Sequence, residues 1–78
     1  MKNAVLYSRQ GCHLCDEAAE VLARCGVSFE TIDIDAEADL ASRYGECVPV
    51  VVIDGRERFR GRVDELLLRR LLTARPSV

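Results

Sequence analysis

Two cysteines, Cys12 and Cys15, lie at the point where a short apolar run gives way to a helical pattern. The apolar run over residues 4–7 predicts a buried strand. From Leu14 onward, apolar residues recur at the spacing of one helix face, which places Cys12 at the start of a helix. Unpaired backbone N–H groups at a helix N-terminus favour the thiolate form of a cysteine. Because a thiolate is both the nucleophile of disulfide exchange and a metal ligand, the motif narrows the chemistry to these two classes.

Strand and helix patterns alternate along the rest of the chain. Short β-branched and aromatic runs predict strands, and apolar residues at helical spacing predict helices. The order β-α-β-α-β-β-α predicts one α/β domain over residues 1–78, with a four-stranded mixed sheet and helices on both faces. The predicted strands are residues 4–7, 27–34, 49–53 and 57–60, and the predicted helices are residues 14–25, 36–43 and 63–73.

Local signals predict where several of these elements begin and end. Gly26 follows the first helix, where a left-handed residue commonly terminates helical structure. Asp35 is placed to cap the second helix, and Asp64 lies in the first turn of the third. The Asp54-Gly55 dipeptide predicts a two-residue hairpin turn. The apolar alternation of residues 27–34 changes phase, so we expect a bend in that strand or an early loop portion.

The composition argues against several classes of protein. The formal net charge is −2 and both signs are interspersed, so no basic stripe indicates nucleic-acid binding. No apolar stretch approaches the ~20 residues of a membrane span. The apolar run near the N-terminus is too short for a signal peptide, and we expect a cytoplasmic monomer. In that reducing compartment a disulfide is expected to be transient and catalytic.

The cysteine pair fits disulfide exchange better than zinc binding. A zinc site needs four ligands, usually in paired half-sites. The remaining candidates His13, Cys25 and Cys47 are unpaired, and Cys25 lies on the apolar stripe of its helix. Disulfide exchange needs only Cys12 as the exposed nucleophile and Cys15, one turn further on, to resolve the mixed disulfide. We therefore predict Cys12 and Cys15 as catalytic residues and no metal site.

Three further residues each have two interpretations. Arg9 is either a further cation beside the Cys12 thiolate or an ordinary surface charge. His13 either stabilises that thiolate or is a solvated residue at the start of the helix. Cys47 is either a small residue before a strand or a third thiol close to the pair, able to shuttle or to be glutathionylated. Cys25 is predicted to be part of the core.

The arrangement of motifs resembles the thioredoxin superfamily, and glutaredoxins most closely. The resemblance is carried by a first strand, the run Gly11-Cys12-x-x-Cys15, an amphipathic helix, and Val48-Pro49 opening a buried strand. It covers nearly the whole chain and implies a thioredoxin-like fold. It also implies a cis peptide bond at Pro49, which an X-Pro bond permits at modest cost, and packing of Pro49 against the cysteine pair.

The same resemblance implies residues that bind the substrate. The backbone of Val48 would pair with the backbone of a substrate such as glutathione. Near the start of the last helix, Asp64 would bind the glutathione amine, and the Gly61-Arg62 backbone or Arg62 itself would approach a carboxylate. With Arg9, His13 and Pro49, these complete the predicted substrate-binding set.

The predicted function is therefore that of a glutaredoxin-like thiol–disulfide oxidoreductase, active in electron transport and cell redox homeostasis. It would reduce protein disulfides or glutathione mixed disulfides, with no bound cofactor and with glutathione as the expected co-substrate. Glutathione or a reductase would supply electrons. Two alternatives stay open: a non-enzymatic redox-sensing or adaptor domain, and an iron–sulfur cluster carrier in which Cys12 from two protomers and two glutathiones hold the cluster.

Overall fold

The computed structural model describes residues 3–45 and 47–73. Its sheet has the strand order β2-β1-β3-β4, in which β1 pairs parallel with β2 and antiparallel with β3, and β3 pairs antiparallel with β4. This confirms the predicted mixed sheet and the order β-α-β-α-β-β-α. The elements are β1 (Ala4–Ser8), α1 (His13–Arg24), β2 (Phe29–Asp33), a 3₁₀ turn (Ile34–Ala36), α2 (Ala38–Tyr44), β3 (Val50–Ile53), β4 (Arg56–Arg60) and α3 (Glu65–Thr73).

The helices cover both faces of the sheet, as predicted. On one face, Leu22 of α1 and Leu68 of α3 are fully buried in a cluster with Val51 of β3. On the other face, Tyr44 of α2 and Ile34 pack with Val50. Neighbouring β3 residues point to opposite faces, so Val50 and Val51 connect the central strand to different layers. This explains why the strand reads as a continuous apolar run.

The turn signals that end α1 and join β3 to β4 are confirmed. Gly26 has a φ of +75°, and the N–H of Val27 donates to the carbonyl of Leu22, which closes the end of α1. At the hairpin, Asp54 and Gly55 have φ values of +52° and +80°. Positive φ at both central residues is the type I′ geometry that matches the twist of the flanking strands.

The segment after α1 differs from the prediction. Strand β2 is only Phe29–Asp33, because the N–H of Val27 is bonded to the last turn of α1 and Ile34 already lies in the 3₁₀ turn. Asp33 caps this turn, and its carboxylate accepts the N–H of Asp35. The prediction that Asp35 caps the second helix is wrong, because the N-cap residue of α2 is Glu37. Glu37 is extended and separates the turn from α2, so the helix predicted over residues 36–43 begins two residues later.

The last helix also begins later than predicted. The structure starts α3 at Glu65, with Asp64 as the residue that precedes it. Within the part of the chain that the structure describes, no helix is both long enough and apolar enough to cross a membrane.

Candidate active site

The register of the sheet brings three distant segments of the chain to one end of the fold. Tyr7, near the end of β1, is opposite Val50 at the start of β3, and Val50 is opposite Arg60 at the end of β4. Since neighbouring strands run in opposite directions here, the turn after β1, the loop before β3 and the loop after β4 leave the sheet on the same side. We call this side the sulfur end, because it carries the Cys12–Cys15 pair.

The cysteine pair occupies the turn into α1. The N–H of Cys12 donates to the carbonyl of Arg9 at 3.3 Å, and Gly11 within this turn has a φ of +75°. Cys12 is the N-cap residue of α1, with its Sγ accepting the N–H of Cys15 at 3.1 Å. The two Sγ atoms are bonded as a disulfide with a Cα–Cα distance of 5.2 Å.

The two sulfurs differ in their access to solvent. Cys12 is half-buried, whereas Cys15 is only 3% exposed and lies on the inner face of α1. The free N–H groups and the positive end of the helix dipole favour an anionic sulfur at the Cys12 position. The geometry thus places one partly exposed cysteine at the start of α1 and a second, buried cysteine behind it.

The Val48-Pro49 segment lies at the same end of the sheet. The Val48-Pro49 peptide bond is cis, as the resemblance implies. Pro49 is fully buried, and its carbonyl accepts the N–H of Gly61 at 2.7 Å. This hydrogen bond joins the loop before β3 to the loop after β4, so two of the predicted substrate-binding segments are held together.

The loop after β4 supplies the remaining predicted residues. Gly61 has a φ of +83°, and Arg62 is exposed. One carboxylate oxygen of Asp64 accepts the N–H groups of Leu66 and Leu67 at 2.9 and 3.2 Å. Asp64 was predicted to lie inside the first turn of the helix, but it caps that helix instead, because its carboxylate satisfies N–H groups that the helix itself leaves unpaired.

Two further predicted residues are directed elsewhere. Arg9 is at the sulfur end, but its guanidinium forms a two-pronged ion pair with Asp35 at 3.0 Å and donates to the carbonyl of Gly45 at 2.7 Å. The imidazole of His13 is exposed, and its Nε2 lies 3.6 Å from the carboxylate of Glu17 one turn along α1. Their proposed contacts with a substrate stay predictions.

A groove runs along α1. It has a volume of about 250 Å³ and lies between α1 and the loop that precedes α3. Leu14, which is 42% exposed and stands between the two cysteines in sequence, lines one side, and Arg62 and Val63 line the other. The exposed leucine between the two cysteines is the sequence signal that marks this surface.

The other two cysteines lie outside the disulfide. Cys47 is half-buried, and a guanidinium nitrogen of Arg60 lies 3.5 Å from its Sγ. The sequence did not predict this contact, because the two residues lie on different elements. Arg60 also forms a two-pronged ion pair with Glu57. The hydrogen bonds from Arg60 lower the pKa of the Glu57 carboxyl. Cys25 packs at the edge of the core cluster, which agrees with the predicted position.

Ion pairs join α1 and α3, the two helices on one face of the sheet. Glu65 of α3 accepts hydrogen bonds from Arg69 of the same helix and from Arg24 of α1. These bonds lower the pKa of Glu65, with the larger contribution from Arg69. Across residues 3–45 and 47–73, no group of three or more His, Cys, Asp or Glu side chains is arranged to hold a metal ion.

Comparison with known proteins places the chain in a family. The Glutaredoxin-like domain (DUF836) model matches residues 3–73. An uncharacterized protein of Mycobacterium tuberculosis is 40% identical over 73 residues, covering 82% of this chain and 75% of the relative. A structural-genomics target protein from X. campestris is 41% identical with a TM-score of 0.78, over 94% of this chain and 99% of that chain.

A solved glutaredoxin shares the same architecture at lower identity. The glutaredoxin from Archaeoglobus fulgidus is 28% identical with a TM-score of 0.67, and the match covers 95% of this chain and 89% of that chain. This similarity confirms the predicted thioredoxin-like fold. The CxxC pair, the fold and the family match agree with one another, and the chain belongs to the glutaredoxin-like family of the thioredoxin superfamily.

Proposed function

We propose that this protein is a thiol–disulfide oxidoreductase in which Cys12 attacks the substrate and Cys15 releases it. The observation that carries the proposal is the difference between the two sulfurs. Cys12 is accessible and accepts an N–H at the start of α1, whereas Cys15 is 3% exposed behind it. A nucleophile must reach the substrate sulfur, and a resolving cysteine needs to reach only its partner.

Reduction of a client disulfide proceeds in two exchanges. The Cys12 thiolate attacks one sulfur of the client, forms a mixed disulfide and expels the other client sulfur as a thiolate. The Cys15 thiolate then attacks the Cys12 Sγ, which breaks the mixed disulfide and releases the second client thiolate. The client gains two electrons, and the Cys12–Cys15 disulfide stores the oxidation. Two molecules of glutathione or one external dithiol reductase return the pair to the dithiol.

The segments at the sulfur end are suited to hold the substrate. We assign substrate pairing to the backbone of Val48 beside Pro49, since that loop lies at the same end of the sheet as Cys12. Arg62 is exposed beside the groove and is proposed to contact a substrate carboxylate. Asp64 already accepts two helix N–H groups, and a carboxylate retains further lone pairs for a substrate amine.

Glutathione is the proposed co-substrate, and a reducing cytoplasm is the proposed setting. Its γ-glutamyl and glycyl carboxylates and its amine match the proposed roles of Arg62, Gly61 and Asp64. Arg9 and His13 are proposed as secondary contacts only, since the side chains of both already face carboxylates of the protein.

Single cysteine variants test the assignment. The Cys12→Ser variant is expected to lose disulfide exchange with a glutathionylated peptide, whereas Cys15→Ser is expected to accumulate a covalent adduct with the peptide or with glutathione. Mass spectrometry of the quenched reaction identifies the adduct and the cysteine that carries it. The Cys25→Ser variant is the matched control and is expected to keep wild-type turnover. Normal turnover by Cys12→Ser would remove the proposal.

A further inference from the structure

A second groove lies between β4 and α3, apart from the cysteine pair. It has a volume of about 340 Å³ and is lined by Arg58, Phe59, Leu67, Arg70 and Leu71. None of these residues belongs to the sulfur end. Helix α3 leaves the sulfur end after Asp64, and at a rise of 1.5 Å per residue Arg70 lies about 9 Å further along the helix axis. A ligand in this groove therefore leaves the redox pair accessible.

The groove exposes apolar surface. Leu67, which lines the groove from α3, is 49% exposed. Phe59 lines the groove while being mostly buried against the core cluster. Apolar side chains gathered in a concave surface offer a site for a large apolar side chain of another molecule, which scattered surface leucines do not.

The groove is also positively charged, in a chain whose net charge is −2. Arg58 and Arg70 have no ion pair among the residues that the structure describes. The two nearest acidic side chains in sequence are occupied, since Glu57 is bound by Arg60 and Glu65 is bound by Arg24 and Arg69. The arginines that do form ion pairs are Arg9, Arg24, Arg60 and Arg69.

An irregularity in β4 accounts for the position of Arg58. Val52 pairs with Glu57 and Val51 pairs with Phe59, so Arg58 is an additional residue in the ladder. Such a bulge redirects the side chains next to it. In a regular strand, Arg58 and Phe59 would point to opposite faces of the sheet, whereas here both line one groove.

We propose that this groove, lined by residues 58, 59, 67, 70 and 71, docks an acidic segment of a partner protein that carries a large apolar side chain. The apolar side chain enters between Phe59 and Leu67, and flanking carboxylates pair with Arg58 and Arg70. Guanidinium groups bind carboxylates through two parallel hydrogen bonds, so two unpaired arginines on the rim favour this charge pattern. If the protein has the proposed redox function, the docked partner is a disulfide-containing client, and the cysteine pair remains free to react with it.

A peptide titration tests the proposal. The probe is the amidated, acetylated peptide Asp-Glu-Leu-Phe-Glu-Asp, added to the isotope-labelled full chain and followed by two-dimensional NMR. We expect saturable shifts confined to residues of β4 and α3. Combined Arg58→Gln and Arg70→Gln changes are expected to weaken binding and so to raise the dissociation constant at least about fivefold. Arg56→Gln, an exposed change on the same strand outside the groove, is expected to alter it by less than about twofold.

Further probes separate the proposal from other occupants. Leu67→Ser is expected to weaken binding more than Leu66→Ser, because only Leu67 lines the groove. Equal binding of a peptide with Lys in place of each acidic residue, or with Ser in place of Leu and Phe, overturns the proposal. Stronger peptide binding after removal of residues 74–78 would make that segment the occupant. Preferential binding to phosphatidylglycerol vesicles would indicate a membrane surface.

Disulfide exchange provides an independent readout. The groove variants are expected to keep wild-type turnover of a small glutathionylated peptide, since they do not alter the sulfur end. If the wild-type protein turns over the small substrate normally but does not bind the acidic peptide, the docking site is overturned and the proposed redox function is not. Cys12→Ser is expected to lose turnover but to bind the peptide as the wild type does. Normal turnover by this variant would overturn the redox proposal and leave the docking site standing.

Discussion

The guanidinium of Arg9 joins three parts of the chain that are far apart in sequence. It binds Asp35 beside the 3₁₀ turn and the carbonyl of Gly45 at the end of α2, 26 and 36 residues away. Gly45 is needed here because a Cβ at this position would lie 2.5 Å from the carbonyl oxygen of Ala41. Arg9 therefore fastens the turn before the cysteines to the layer on the opposite face of the sheet.

Replacing Arg9 is expected to destabilise the protein. Arg9→Ala should lower the free energy of unfolding by about 1–2 kcal/mol, because it removes a partly exposed ion pair and a charged hydrogen bond. Urea unfolding followed by circular dichroism measures this change. Arg56→Ala, which removes an exposed arginine that forms no ion pair within residues 3–45 and 47–73, serves as the control. Equal stability of the two variants would contradict the structural role of Arg9.

The partners of Arg9 could not be predicted from the sequence. Its closeness to Cys12 along the chain predicts a charge beside the thiolate. The backbone of Arg9 does lie in the turn before Cys12, but its guanidinium does not point to the cysteines. The side-chain direction depends on α2, which reaches Arg9 only through the tertiary fold. The positions of Cys12 and Cys15 could be predicted, because a CxxC turn and the helix after it form within one short stretch of chain.

Helix α3 begins at a cap that combines structure with a proposed binding role. The Asp64 carboxylate accepts two N–H groups in the first turn of the helix. The same residue stands at the sulfur end, where a substrate amine is proposed to bind. A change that removes the carboxylate therefore affects both the helix and the site, and a conservative change is needed to separate the two.

Two substitutions at Asp64 distinguish the cap from the binding role. Asp64→Ala is expected to cost about 1 kcal/mol of stability, because it leaves the N–H groups without the side-chain acceptor. Asp64→Asn keeps an acceptor oxygen and should retain most of the stability while losing the negative charge. Urea unfolding reports the first effect, and the KM for a glutathionylated peptide reports the second. A wild-type KM for Asp64→Asn argues against amine binding.

The limits of α2 and β2 show where sequence patterns lose precision. The pattern of residues 27–34 contains β-forming residues throughout, but Val27 and Ile34 are used by neighbouring turns. Asp35 is a reasonable cap by residue type, but its carboxylate is bound by the guanidinium of Arg9, and α2 begins after Glu37. The partner of Asp35 comes from a distant part of the chain, so the helix was predictable from the sequence and its first residue was not.

The whole molecule depends on a small core in which single side chains carry much of the stability. Leu68 is fully buried and joins α3 to the cluster that also contains Leu22 of α1 and Val51 of β3. A domain of this length buries roughly 60% of its unfolded surface, which leaves a thin margin of stability. The loss of one central side chain is therefore felt throughout the fold.

Truncation of Leu68 is expected to remove a large part of the total stability. Leu68→Ala should cost about 2–5 kcal/mol, because it combines lost burial with a cavity, against a total of about 5–15 kcal/mol for native domains. Leu66→Ala, at a residue that is 73% exposed on the same helix, should change stability by less than about 0.5 kcal/mol. Thermal unfolding of the two variants measures the contrast. Similar melting temperatures would contradict the packing of α3.

The sheet order also fixes the position of the turn between β3 and β4, which carries none of the proposed site residues. The Asp54–Gly55 turn joins β3 to β4 at the end of the sheet opposite the cysteines, and Asp54 is tied there to Asn3 by two hydrogen bonds. The exposed tip of this turn points away from Cys12, Val48 and Arg62. A dye, a biotin or a solid support attached through an exposed side chain at position 56, beside this turn, would therefore present the disulfide to solution, so this end of the sheet suits immobilisation on an electrode or sensor.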